Sequence, residues 1–266
     1  MLKIIKGVAF VTYKEWAAYR SHMLVSLILG PLYFLVQYYI WTSLYNNQDL
    51  INGFTLSQML TYYGITTLIH YCIMDFADWN LQMLIRTGRF ITFILRPVSH
   101  RLFALSQKIG HRILGFHLEF IPVYMIFFFF FDINLIPANI FWFAASIILG
   151  FMMQFLLNYC IGMTAFWLTR ADGVRSIYSI FSQLSAGVLI PLTFFPEVFQ
   201  RILFFLPFQF ISYVPVNVFL GEYKLSGIEL EIPQIVGIQF LYVIIIFLFS
   251  ELIWRRAIIK YTGVGV

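Results

Sequence analysis

Apolar stretches of about 20 residues recur along this chain, each long enough to cross a hydrocarbon core as a helix. Hydrophobic residues make up 61% of the 266 and charged residues 11%, against roughly 25% charged in an ordinary globular domain. So few charges cannot coat a soluble surface of this size, because exposed apolar patches that large drive association. The pattern predicts an all-α polytopic membrane protein, a single transmembrane domain over 1–266 with six spanning helices. These are placed at 22–45, 55–75, 111–131, 139–168, 176–195 and 233–254. In residues 1–21, Lys3, Lys6, Lys14 and Arg20 alternate with Ile4, Ile5, Val8, Val11 and Trp16. That alternation predicts an amphipathic helix lying on the membrane surface. No cleavable signal peptide is expected, since the first apolar run is long and aromatic and no small-residue cleavage site follows it.

The charges set an orientation. With both termini on one side, that side collects Lys3, Lys6, Lys14 and Arg20, then Arg86, Arg89, Arg96, Arg101, Lys108 and Arg112. It also takes Arg170, Arg175, Arg255, Arg256 and Lys260, which leaves Arg201 and Lys224 of the 17 for the other side. The positive-inside rule then makes both termini cytoplasmic. Topology therefore accounts for the net charge of +5, and no nucleic-acid partner is expected. Cys72 and Cys160 both sit inside apolar blocks, which excludes a disulfide framework and a cysteine-rich metal site.

Two connections are long. The loop at 76–110 is basic and amphipathic and carries an Arg96–Pro97 break. The segment 196–232 is too aromatic for a free loop and too Pro-broken for a span. Its first half, Pro196 to Val218, containing Pro207 and Pro215, predicts short helices that dip back into the membrane, where protein must satisfy their backbone.

No Walker A loop, HExxH or Gly-x-Ser-x-Gly motif occurs, and His22, His70, His100, His111 and His117 form no ligand constellation. In the fourth block Ser146, Gly150, Gln154, Asn158 and Gly162 share a helix face. Close helix packing is favoured there over a polar pathway lining. In the fifth block Ser176, Ser179, Ser182 and Gln183, followed by Ala186 and Gly187, leave the same two readings evenly matched. Glu119 is the only carboxylate placed clearly inside a span, four residues beyond Gly115 and eight beyond His111; a structural ion pair is favoured over a proton relay. Asp75 and Asp78 are expected to be solvated at a helix end, and Phe127–Phe131 to face lipid.

Two segments carry a family likeness. One is Ile85-Arg-Thr-Gly-Arg-Phe-Ile-Thr-Phe-Ile-Leu-Arg-Pro-Val-Ser99. The other is Ser185-Ala-Gly-Val-Leu-Ile-Pro-Leu-Thr-Phe-Phe-Pro-Glu197, with Leu206-Pro-Phe and Tyr213-Val-Pro-Val-Asn-Val-Phe-Leu-Gly221 after it. With the span order, they resemble an ABC-2-type (type V) ABC exporter permease, of the bacterial subgroup with a separate ATPase and often a second, paralogous permease. The resemblance implies an inner-membrane subunit that forms half of an export pathway for an amphipathic, peptide, drug-like or lipid-like cargo. It has no cofactor of its own; ATP and Mg would be bound by a partner ATP-binding cassette ATPase dimer. A second permease, identical or paralogous, and membrane lipids are the other implied partners. The resemblance further implies a coupling helix at about Asp78–Arg96, with Gly88 and Pro97 at its ends and Arg86, Arg89 and Arg96 facing the ATPase or lipid phosphates. Re-entrant helices would match Pro196–Val218, where Glu197 and Arg201 can pair at i,i+4. Pathway candidates by position are Gln37, Thr67, His70, Ser182 and Gln183. The alternatives are an ATP-independent secondary transporter or channel, which calls for inverted repeats and more intramembrane charge, and a lipid-modifying membrane enzyme, which calls for a catalytic constellation.

Overall fold

The computed structural model describes residues 2–19, 21–131, 133–168 and 171–261, apart from the side chains of 21–24. Arg20, Arg170 and the His22 side chain lie outside the described residues. The chain is mostly helical. Among the described residues, four helices are long and apolar enough to cross a membrane, within Val25–Asn47, His100–Phe130, Ile140–Phe166 and Ile232–Lys260.

Helix α1 (Leu2–Ala18) packs along α6 (His100–Gly115). The two are close enough that a side chain at Gly110 would run into the Ala9 carbonyl. Helix α2 (Ser21–Leu44) is apolar on nearly every face. Helix α3 (Leu56–Ile73) starts at a reciprocal cap between Thr55 and Gln58. It is shorter and more polar than α2, and Thr61, Thr66 and Thr67 are buried with Tyr62, Tyr63 and Tyr71 on several of its faces. It packs against α2 and α8 (Ile140–Met163), so protein rather than lipid surrounds much of its length. Thr66 and Thr67 return their hydroxyls to the carbonyls of Tyr62 and Tyr63, one helical turn earlier.

The basic loop read as 76–110 is largely helical: α4 (Ala77–Arg86), α5 (Ile91–Ile94) and the start of α6. The third apolar block, expected at 111–131, thus belongs to a helix that begins at His100. Ser99 caps it by accepting from Leu102 N at 3.3 Å, and packing against α1 stabilises the turns before residue 111. Phe116–Phe120 form one π-helical turn, after which α7 (Ile121–Phe130) continues the rod. Gly88 closes α4 rather than opening a helix, with φ +70; this corrects its expected place at one end of a helix over 78–96.

The fifth block, expected to reach residue 195, stops early. Helix α9 (Asp172–Ser185) ends at a turn in which Gly187 has φ +72. Fourteen residues rise only about 21 Å. The chain continues through α10 (Glu197–Phe205), a tight turn at Pro207–Phe210 and α11 (Tyr213–Leu220). Pro207 and Pro215 lie at or near the starts of these short elements, while Pro196, Glu197 and Arg201 are exposed on α10.

One element departs from the all-α expectation. Strands β1 (Tyr223–Leu225) and β2 (Ile228–Leu230) form an antiparallel hairpin across Ser226 and Gly227, both with positive φ. That turn geometry matches the right-handed twist of paired strands. Last comes α12 (Ile232–Lys260), capped reciprocally by Glu231 and Gln234 and packed on α8.

Candidate functional site

A cavity of about 590 Å³ lies between α3, α8 and α9, with Ala186, Val188, Ile211 and Ser212 at its α11 end and Asp75, Asp78 and Arg175 at its α4 end. Of the five pathway candidates, His70, Ser182 and Gln183 line it. Thr67 does not: it is buried in the α3 helix ladder. Gln37 sits half-buried on α2, away from the cavity. The even choice left open for the fifth block resolves by residue: Ser176, Ser179, Ser182 and Gln183 all face the cavity, while Gly187 turns the chain.

The fourth-block stripe divides in the same way. Ser146 donates to Gln239 Oε1 at 2.8 Å. Gly150 leaves room for the Phe210 and Ile211 carbonyls, and Gly162 for the Asp78 backbone. These three positions are packing. Gln154 and Asn158 line the cavity, where Gln154 Nε2 donates to Asn158 Oδ1 at 3.0 Å.

Asp75 and Asp78 are not solvated, contrary to expectation: they are 8% and 5% exposed. Asp75 Oδ2 accepts from Ala77 N at 3.0 Å and from Asn158 Nδ2 at 3.2 Å, and Lys108 Nζ lies 3.5 Å from Oδ1. Asp78 Oδ2 accepts from Arg175 Nε at 2.6 Å. Buried carboxylates need such partners because an uncompensated charge costs several kcal/mol. The partners sit 33 and 97 residues away, so local sequence does not show them.

The α9 turn is held from α2 and α3. Tyr62 Oη donates to Gly187 O at 2.6 Å, Tyr33 Oη to Val188 O at 3.2 Å and Tyr63 Oη to Leu189 O at 2.9 Å. Glutamines serve the following segment. Gln200 Nε2 donates to the Thr193 and Phe195 carbonyls, and Gln239 Nε2 to that of Phe210. Buried backbone outside a helix needs hydrogen-bond partners, and these side chains supply them. Sequence reasoning passed over the tyrosines; the signal for Tyr62 and Tyr63 was a Tyr-Tyr pair followed by a Thr-Thr pair within one helix.

Glu119 lies within the π-helical turn, 1% exposed, with Arg112 Nη1 at 3.6 Å and an accepted hydrogen bond from Ser26. Arg112 Nη1 also donates to Tyr71 O at 2.7 Å, and its Nη2 meets His111 Nδ1, on whose ring Trp16 of α1 sits edge-on. This is an ion pair at the junction of four helices. His117, on another face, is exposed. The phenylalanine run also divides: Phe128, Phe129 and Phe130 are exposed, but Phe127 is fully buried against Phe34.

Residues 76–97 present a mixed surface. Trp79, Met83, Ile91, Ile94 and Leu95 are exposed among Arg86, Arg89, Arg96 and Pro97. Arg86 Nη1 reaches Asp172 of α9 at 3.8 Å. The Arg96 guanidinium lies over the rings of Phe93 and Phe103. Beneath this surface Phe90 is 1% exposed, edge-on to His100, Phe166, Trp254 and Tyr261. It anchors the loop to α6, α8 and α12.

The sequence profile of a family described as "ABC-2 family transporter protein" matches residues 32–265. No curated protein and no solved structure matches the chain.

Proposed function

The chain belongs to the ABC-2 family of transporter proteins, and from that premise we propose that it is the permease half of an ATP-driven exporter. Its family is a membrane component of transport that works with an ATPase. In this reading α2, α3, α6–α7, α8, α9 and α12 are six spans of a plasma-membrane subunit with both termini cytoplasmic, as the distribution of basic residues supports. Segment 196–218 re-enters from the far side. The ATPase dimer binds ATP and Mg, and a second permease, identical or paralogous, completes the pathway for an amphipathic cargo.

The observation that carries the mechanism is the double tie between α4 and α9. Asp78 bonds Arg175, and Arg86 faces Asp172, so the exposed coupling surface is linked to one wall of the cavity. An ATPase docked on Trp79, Met83, Arg86, Arg89 and Leu95 that moved α4 would carry the start of α9 with it. The far end of α9, held by Tyr33, Tyr62 and Tyr63, would act as the fixed point. Displacement of that wall changes the cavity's access, which is how hydrolysis in one chain would open a path in another.

An affinity tag on this chain, expressed in its own cell, should recover an ATP-binding cassette ATPase together with a permease copy or paralogue. Transport by the reconstituted complex should require hydrolysable ATP. Cargo movement by this chain alone, with no ATPase recovered, overturns the reading in favour of an ATP-independent transporter.

A further inference from the structure

The cavity between α3, α8 and α9 is polar, and the charges on its wall are paired. Its carboxylates are matched inside the chain, Asp75 by Lys108 and Asp78 by Arg175. Among the described residues the rest of its polar wall is hydroxyl, amide and imidazole. A ligand with a net charge would enter with no counter-charge left to meet it, and an unpaired charge out of water is strongly unfavourable. A purely apolar ligand would strand the polar wall, and buried groups left unpaired cost about 1–3 kcal/mol each.

Among the described residues, four buried atoms of residues on that wall have no hydrogen bond: Ser212 Oγ, Tyr178 Oη, Asp78 Oδ1 and Asp75 Oδ1, the last with Lys108 Nζ at 3.5 Å. Ser212 is 2% exposed and Asp78 5%. His70 opens onto the cavity and its ring nitrogens make no hydrogen bond among the described residues. The two carboxylate oxygens only accept, whereas the Ser212 and Tyr178 hydroxyls and the His70 imidazole can both donate and accept. A hydroxyl is a neutral group that answers both demands at a single atom, because it donates one proton, accepts at two lone pairs and rotates to suit. The volume, about 590 Å³, falls within the roughly 300–1,000 Å³ of small-molecule sites, which suits a headgroup rather than a whole two-chain lipid. Ile180 belongs both to this wall and to the exposed apolar face that α9 forms with Ile177, Phe181 and Leu184, which gives an attached apolar tail a way out of the cavity.

We propose that this cavity binds the uncharged, multiply hydroxylated headgroup of an amphipathic molecule, with Ser212, His70 and Gln183 as its hydrogen-bonding partners. The proposal rests on the permease reading only in making that ligand a cargo; binding itself needs no ATPase.

The test uses the full chain in lipid nanodiscs and three six-carbon probes below their micellar concentrations: hexyl β-glucoside, hexyl sulfate and hexyltrimethylammonium. Hexyl glucoside should bind saturably. Its affinity should fall roughly tenfold in His70→Phe and in Gln183→Leu, and roughly threefold to tenfold in Ser212→Ala, the range of one or more lost hydrogen bonds. The two charged probes should not compete. Ser212→Ala is nearly isosteric and keeps the comparison available if a larger substitution fails to fold. Equal glucoside affinity in wild type and variants, no saturable glucoside binding, or preference for either charged probe overturns the inference. A chain that recruits its ATPase but ignores the glucoside overturns this inference alone. A chain that binds the glucoside yet recovers no ATPase overturns the permease reading alone.

Discussion

Tyr62 Oη donates a 2.6 Å hydrogen bond to the carbonyl of Gly187, 125 residues further along the chain. It fixes the left-handed turn that ends α9 and begins the broken segment. Tyr62→Phe should leave that carbonyl buried and unpaired, lowering stability by about 1–3 kcal/mol. Gly187→Ala should cost about 1–2 kcal/mol from its φ of +72 alone, plus the crowding of a Cβ placed 2.9 Å from Tyr62 Oη. Removing the hydroxyl relieves that crowding, so the double variant should lose less than the sum of the two. Thermal unfolding in nanodiscs measures all three, and strict additivity would show that the two residues do not meet.

The pair of Asp75 and Lys108 makes a second test. Asp75→Asn leaves a buried ammonium without its carboxylate, which should cost about 3–5 kcal/mol and sharply reduce the yield of folded protein. Adding Lys108→Met should restore most of it, since a buried ion pair replaced whole is often nearly neutral. Size-exclusion profiles and melting points read both effects; a silent Asp75→Asn would mean that water reaches the pair.

Charge reversal on the proposed coupling surface separates docking from folding. The Arg86–Asp172 pair is exposed on both sides, at 58% and 66%, so Arg86→Glu should change stability by no more than about 1 kcal/mol. It should nonetheless weaken ATPase association by something on the order of 1–3 kcal/mol, as should Arg89→Glu, if these arginines face a complementary surface. Gly88→Val should strain the end of α4 by about 1–2 kcal/mol and lower ATP-coupled transport while membrane insertion stays normal. Lys224→Glu, on the hairpin, is the control. Unchanged association and transport in all three loop variants would remove this surface from the coupling path.

Glu119→Gln tests whether the buried ion pair is a scaffold. Arg112 loses its counter-charge and keeps only neutral partners, the Tyr71 carbonyl and His111 Nδ1, so assembly should fall with a loss of about 3–5 kcal/mol. Transport per assembled complex should stay at the wild-type rate. A rate defect in fully assembled complexes would instead give Glu119 a part in transport.

Local composition makes some of this chain readable in advance. Apolar runs the length of a bilayer specify membrane helices because the bilayer is a solvent each segment meets directly, and α2, α8 and α12 fall where their runs do. Pro196, Pro207 and Pro215 announce a broken segment because proline removes a donor from its own helix. The hairpin turning at Ser226-Gly227 escaped the sequence reading, because strands of three residues each, Tyr-Lys-Leu and Ile-Glu-Leu, leave little periodicity to read.

The candidate site was not legible in that way, and the reason is distance along the chain. Whether Asp78 is solvated depends on Arg175; whether α9 continues past Ser185 depends on Gly187 and the Tyr62 that meets it; whether a polar stripe packs or lines a cavity depends on what stands opposite. Sequence by itself determined that this chain is a membrane helix protein, since hydropathy and proline act within a few turns, while its likeness to the ABC-2 family rested on the segments 85–99 and 185–221. Only the tertiary structure decided that His70, Asn158, Ser182 and Ser212 share one cavity and that its carboxylates are neutralised, because burial and charge compensation are properties of neighbours in space.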